Sequence, residues 1–211
     1  AIKICGNTII PNLTGCNTTS GNISVGISNL SSLTTGTYNT AIGSSALLSN
    51  TAGSNNFAAG YQPLYCNTTG VNNSAIGYQA LYNNTIGSNN FAQGYCALGK
   101  NTTGVSNIAQ GKMALFCNTT GSQNIAIGWQ SLMCNSYGSN NIAQGYFSLM
   151  CNTTGCNNFA AGKYSLYLNV TGCNNIAQGY CALYNNTASN NFAQGYKALV
   201  SNTTGSNNIS V

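Results

Sequence analysis

The chain repeats one 17-residue unit along almost its whole length, and this repeat limits its fold more than any other feature. Glycines recur every 17 residues from Gly26 to Gly179, and Gly195 follows after 16 because the segment 185–191 lacks a glycine that other units carry. Such a period indicates an array in which each unit packs on its neighbours. The sequence therefore divides into an N-terminal segment with an irregular first coil, residues 1–21, and a single repeat domain, residues 22–211.

The composition of the unit predicts β-structure. Glycine, asparagine and threonine interrupt any helical period, and two short apolar runs, such as 95–98 and 107–110, are separated by turn-forming segments. We expect two short strands and two turns in each unit. The predicted fold is all-β, a parallel β-solenoid (β-roll) of about 11–12 coils with 17 residues per coil, stacked about 4.8 Å apart.

Two columns of apolar residues are predicted to form the core. Leucine stands four residues after each repeat glycine, and isoleucine or phenylalanine stands three residues before the next one. Residues two apart in a strand share a face, so we expect the small residue after the isoleucine to point outward. The predicted core residues are Leu64, Leu81, Leu98, Leu115, Leu132, Leu149, Leu166, Leu183, Ile108, Ile125, Ile142 and Ile176.

Asparagine occupies two further columns. Stacked side-chain amides donate to one neighbour and accept from the other, and such ladders stabilise cross-β stacks. Charged groups stacked at about 4.8 Å would repel one another, which is one reason for the absence of acidic residues from these columns. We expect the glycine between the columns, Gly121 for example, to supply a positive φ. The predicted ladders contain Asn101, Asn118, Asn135 and Asn152 in one column and Asn107, Asn124, Asn141 and Asn158 in the other.

Composition excludes most enzyme mechanisms. The 211 residues include no Asp, Glu or His, and their charge comes from five lysines. General acid–base catalysis and hard-metal sites draw on the missing residue types, so we expect no enzyme activity, catalytic residue, metal site or cofactor. The lysines form no basic patch, so we expect no nucleic-acid partner, and no apolar run is long enough to span a membrane.

One column of aromatic and lysine residues is the candidate contact face. In a strand it would point away from leucine, and Lys112 would lie between Tyr95 and Trp129 in a cation–π arrangement. A subunit contact, a self-supporting aromatic ladder and a glycan contact are all open, and we favour the subunit contact. The column comprises Tyr61, Tyr78, Tyr95, Lys112, Trp129, Tyr146, Lys163, Tyr180 and Tyr196.

Cysteines also fall into columns. Cys117, Cys134 and Cys151 share one column in consecutive units, and Cys156 and Cys173 share another. Neighbouring coils bring Cα atoms within disulfide range, although parallel in-register strands orient the Cβ atoms poorly. We predict disulfides, within or between subunits, in preference to free packing thiols.

The segment "NNSAIGYQALYNNTIGSNN", residues 72–90, resembles the repeats of YadA-like heads of trimeric autotransporter adhesins. It is more similar to the longer "AIGYQALYSNTTG" repeats of surface and tail-fibre proteins. The resemblance covers residues 22–211. It implies a parallel β-roll, often trimeric, exposed outside the cell or virion and used for adhesion or as a fibre.

These features together predict a structural protein. Neither end of the sequence carries a charged capping segment, so we expect end-to-end stacking with other copies of the chain. The predicted function is a subunit of an extracellular filament or surface fibre, located outside the cell or on the cell or virion surface. The alternatives are an adhesin head that binds surface glycans and, less favoured, an ice-binding protein, because Ser136 and Val170 interrupt the threonine column.

Overall fold

The computed structural model describes residues 3–4, 7–8 and 20–211, and its main element is a parallel β-solenoid of about 11 turns. Twelve strands form one sheet in chain order, and β1 and β2 form a separate antiparallel pair. The predicted fold class is confirmed. The strands are β1 (Lys3–Ile4), β2 (Asn7–Thr8), β3 (Ile23–Ile27), β4 (Thr40–Ser44), β5 (Phe57–Tyr61), β6 (Ser74–Ile76), β7 (Phe91–Gln93), β8 (Ile108–Gln110), β9 (Ile125–Ile127), β10 (Ile142–Gln144), β11 (Phe159–Ala161), β12 (Ile176–Gln178), β13 (Phe192–Gln194) and β14 (Ile209–Ser210).

Equivalent residues of successive units lie above one another. Ile108 pairs with Ile125 and Ala109 with Ala126, and the same register holds from β3 to β14. The 16-residue step is absorbed in a turn, where the Ala188 carbonyl accepts hydrogen bonds from the side chains of Asn175 (2.8 Å) and Asn186 (2.7 Å). Columns read from the sequence are therefore columns of the structure.

Each described coil contains one strand, so the prediction of two strands per coil is wrong. The second apolar run forms a turn in which alternate residues are left-handed, with φ of 55° at Met113 and 53° at Leu115. This conformation turns Ala114 and Leu115 inward together, whereas a strand would send them to opposite faces. Backbone hydrogen bonds still join the coils here, from Leu115 N–H to the Ser131 carbonyl (3.0 Å), for example.

The core contains leucine and alanine. The predicted leucines from Leu64 to Leu183 are fully buried. The strands, however, bury their central alanines, Ala109 and Ala126 among them, and turn the flanking residues outward.

The predicted core positions Ile108, Ile125, Ile142 and Ile176 are therefore corrected to the outer face of the sheet, where Ile108 is 37% and Ile176 39% exposed. The space between strand and turn is narrow because leucine and two asparagine columns share it. Alanine occupies the second, buried position of strands β4–β13 and serine that of β3, so only a small side chain fits there.

Candidate functional site

The first asparagine column forms a continuous ladder of side-chain amides. Asn118 donates to Oδ1 of Asn101 in the preceding coil (2.7 Å) and to the Gly121 carbonyl of its own coil (2.8 Å). Its own Oδ1 accepts from Asn135 of the following coil (3.0 Å). The same set recurs along the column, so the predicted ladder through Asn101, Asn118, Asn135 and Asn152 is confirmed.

The second asparagine column also forms a ladder, in which backbone N–H groups donate together with the side-chain amides. Oδ1 of Asn107 accepts from both the backbone N–H (3.0 Å) and the side-chain amide (3.2 Å) of Asn124. Asn124 also donates to the Gly138 carbonyl of the following coil (2.9 Å). The pattern continues at Asn141 and Asn158, which confirms the second ladder.

A glycine column joins the two ladders. The Gly121 carbonyl accepts from Asn118 of its own coil and from Asn107 of the preceding coil. A Cβ at Gly121 would collide with Asn118 Oδ1 and with the Gly138 carbonyl. Its φ is not in the left-handed region, so the expected reason for glycine is wrong. Close packing between coils requires glycine here.

Almost all buried polar side chains of the interior are hydrogen-bonded. Among the described residues, Ser24 Oγ is the one buried side-chain polar atom without a partner. A buried amide that lacks partners costs about 1–3 kcal/mol, whereas a satisfied one contributes to stability. The two ladders therefore hold successive coils together as well as in register.

The aromatic column points outward and stacks along the rod. The ring centroids of Tyr61 and Tyr78 are 5.2 Å apart, and those of Tyr78 and Tyr95 are 5.0 Å apart and nearly parallel. The stack continues at Tyr180 and Tyr196 with a centroid distance of 5.4 Å. Because each ring covers the face of its neighbour, the stacked rings expose mainly their edges and hydroxyl groups to solvent.

Lysine replaces tyrosine at two rungs of this column. Lys112 Nζ lies 5.7 Å from the Tyr95 ring centroid and 5.2 Å from that of Trp129, as predicted. Lys163 Nζ lies 5.3 Å from the Tyr146 centroid. A cation–π contact at an exposed site contributes about 0.5–1 kcal/mol. The lysines thus continue the column, and the self-supporting ladder accounts for these contacts without any ligand.

A glycan contact through this column stays a prediction. Sugar rings pack on the faces of aromatic rings, and the stacked tyrosines cover one another's faces. Trp129 differs, because it meets Tyr146 edge to face at 5.6 Å and is 47% exposed. One face of its ring is in contact with the Lys112 ammonium.

The eight cysteines of the described residues are free thiols within the chain, which corrects the prediction of disulfides within a subunit; disulfides between subunits stay a prediction. Cys117, Cys134 and Cys151 stack in register, so their Cβ atoms run parallel instead of pointing at one another. Burial raises the pKa of the Cys134 and Cys151 thiols, and the neighbouring cysteines raise that of Cys134 further. Cys156 and Cys173 replace the serine of other coils, and the Cys173 sulfur accepts the Cys156 N–H at 3.1 Å.

In the predicted threonine column, formed by the first threonine of each pair, the hydroxyl groups are occupied within the solenoid. Thr102 Oγ1 donates to the Thr119 carbonyl (2.9 Å), and Thr119 Oγ1 donates to the Ser136 carbonyl (2.9 Å). An ice-binding face requires hydroxyls that are free to order water. These donors are already used between coils, so the geometry gives the ice-binding alternative no support.

A second aromatic column, four residues after the first, contains Tyr65, Tyr82, Phe116, Tyr167 and Tyr184. A shallow depression lies at the rung where glycine interrupts this column. Gly99 stands between Tyr82 and Phe116, and Lys100 Nζ lies 5.1 Å from the Phe116 ring centroid. The depression has a volume of about 160 Å³ and is lined by Gln79, Tyr82, Asn83, Cys96, Gly99, Lys100 and Phe116.

The described residues contain no cluster of three metal-ligating side chains and no helix long and apolar enough to cross a membrane.

The outer face of the sheet is a surface, whereas the sequence predicted that its isoleucines belong to the core. We call this surface the outer sheet face. It consists of two columns of outward residues: the first residue of each strand, such as Ile108 in β8 and Ile125 in β9, and the residue two positions later, Gln110 and Ile127. A signal was present in the sequence. Where the first position is polar, at Thr40 and Ser74, the second becomes Ile42 and Ile76. This exchange keeps the outer face of the sheet apolar. It does not compensate for volume in the core.

Comparison of the chain with protein-family models, with curated proteins and with solved structures found no match.

Proposed function

We propose that the chain is a structural subunit of an extracellular filament or surface fibre, and that copies stack head to tail through their end coils. The extracellular setting is suggested by the resemblance of the repeat to those of surface and fibre proteins. Axial stacking is supported by one observation above all: the strand register and the second asparagine ladder repeat between successive coils from β3 to β14.

Each coil has two different faces that fit each other. Asn124 donates toward the preceding coil through its side chain and backbone, and its Oδ1 accepts the corresponding groups of Asn141 in the following coil. A surface that fits the opposite surface of an identical unit forms a heterologous contact, and such contacts extend without limit when they do not close into a ring. A coil face left open offers the same unpaired groups to another copy.

Electron microscopy of the 211-residue chain tests this proposal. We expect long unbranched filaments above a critical concentration, and fibre diffraction from aligned filaments should give an axial reflection near about 4.8 Å. Monodisperse compact particles at every concentration would contradict the proposal.

A double variant in the last coil tests the role of the ladders. In Asn202→Lys with Asn208→Lys, ammonium groups still donate to Asn186 and Asn191, but they cannot accept from the next copy. We expect this variant to remain as separate subunits. The matched control is Thr204→Lys with Ser206→Lys, which adds the same charge at exposed positions of the same coil and should still form filaments. Equal assembly by both variants would exclude stacking through the ladders.

A further inference from the structure

We propose that the outer sheet face binds the same face of a second copy, so that two solenoids lie side by side. This lateral contact is separate from axial stacking and does not depend on it. Three properties of the face support the proposal: its apolar residues, its lack of charge and its size.

Apolar side chains cover the outer sheet face at every rung. Each of the strands β3–β14 carries at least one Ile or Phe at its two outward positions, even where Thr40 or Ser74 occupies the first. Several of these side chains are well exposed, with Ile42 at 40% and Phe57 at 38%. Soluble monomers rarely expose a continuous apolar stripe of this length, and such a stripe marks an interaction site.

The outer sheet face carries no charge and has unused hydrogen-bonding groups. None of the strands β3–β14 contains a lysine. The side-chain amides of Gln93, Gln110 and Gln144, which lie beside the apolar column, form no hydrogen bond within the described part of the chain. Two copies of the face can therefore meet without repulsion, and the glutamines can pair across the contact.

A second copy fits this surface better than an unrelated partner. The rungs repeat about every 4.8 Å in one register, so the side chains of another solenoid match them along the whole face. Twelve strands, most of them three residues long, give a face of roughly 55 by 10 Å, or about 550 Å². Two such faces bury about 1,100 Å² in total, which exceeds the about 1,000 Å² that a specific interface needs.

Sedimentation equilibrium of the 211-residue chain tests the pairing. We expect a dimer of the 21.8 kDa chain, and in filaments two solenoids per cross-section by electron cryo-microscopy. The test variant combines Ile108→Lys, Ile125→Lys and Ile142→Lys, which lie outward and half exposed. Its dimer dissociation constant should rise at least about 100-fold, because twofold pairing brings each new charge into the contact twice.

The matched control carries Thr103→Lys, Thr120→Lys and Thr154→Lys at exposed turn positions and should pair like the unmodified chain. Circular dichroism should show the same folded spectrum for both variants. Filaments one solenoid wide, a monomeric unmodified chain or unchanged pairing in the isoleucine variant would overturn the proposal. Pairs without filaments would support lateral pairing and contradict axial stacking, so the two proposals fail separately.

Discussion

At the scale of a residue, an asparagine such as Asn118 contributes two donors and an acceptor to three different groups. Aspartate has nearly the same shape, but in its charged form it cannot donate. Asn118→Asp should therefore leave Asn101 Oδ1 and the Gly121 carbonyl facing a buried carboxylate. We expect a loss of about 3–5 kcal/mol at pH 7, measured as a lower unfolding midpoint by circular dichroism.

Acid should partly rescue this variant. Burial without a cation raises the pKa of the new carboxyl above its usual value of about 3.9, so the folded chain holds the proton more tightly than the unfolded chain. Stability should be highest below about pH 4 and should fall as the pH rises through the raised pKa. The control is Asn140→Asp, an exposed position, which should change little at any pH. Equal losses in both variants would show that Asn118 is not buried in a ladder.

At the scale of an element, exchanges at the first two residues of strand β9 should differ in how much stability they cost. Ala126 is fully buried, so Ala126→Ile should overpack the interior and cost about 1–3 kcal/mol or more. Ile125→Ala removes a half-exposed side chain and should cost below about 1 kcal/mol in the unpaired chain. Leu115→Ala serves as the core reference at about 3 kcal/mol, and all three are compared by thermal unfolding. A loss for Ile125→Ala that equals the reference would contradict the orientation of the strand.

The repeat period was enough to predict which residues stack in columns, but it did not predict which side of each strand faces the interior. The period placed the leucines, both asparagine ladders and Lys112 between its aromatic neighbours. An alternating strand has two orientations, however, and the choice depends on the width of the interior, which Leu115, Asn118 and the Gly121 carbonyl fill. The left-handed conformation of the leucines could not be predicted from the sequence either, because leucine itself does not favour a positive φ and only packing between coils imposes it.

At the scale of the whole molecule, the absence of Asp, Glu and His removes the groups that ordinarily cause acid denaturation. The unfolding midpoint should therefore stay nearly constant from about pH 4 to pH 8. Burial raises the pKa values of Cys134 and Tyr82, so the folded chain holds these protons more tightly than the unfolded chain. Stability should fall once the pH exceeds the unfolded values, about 8.5 for Cys and 10 for Tyr. Calorimetry across this range checks the prediction, and a marked loss of stability near pH 4 would contradict it.

The common direction of the ladder amides has an electrical consequence. In both columns one N–H of each side-chain amide points toward the preceding coil and the oxygen points toward the following one, as at Asn118 and Asn124. Dipoles aligned in this way add along the axis, as peptide dipoles do in a helix. The side-chain amides thus contribute a dipole along the axis, with its positive end on the N-terminal side of the rod and its negative end on the C-terminal side. In a head-to-tail contact between two copies, opposite ends of these side-chain dipoles meet.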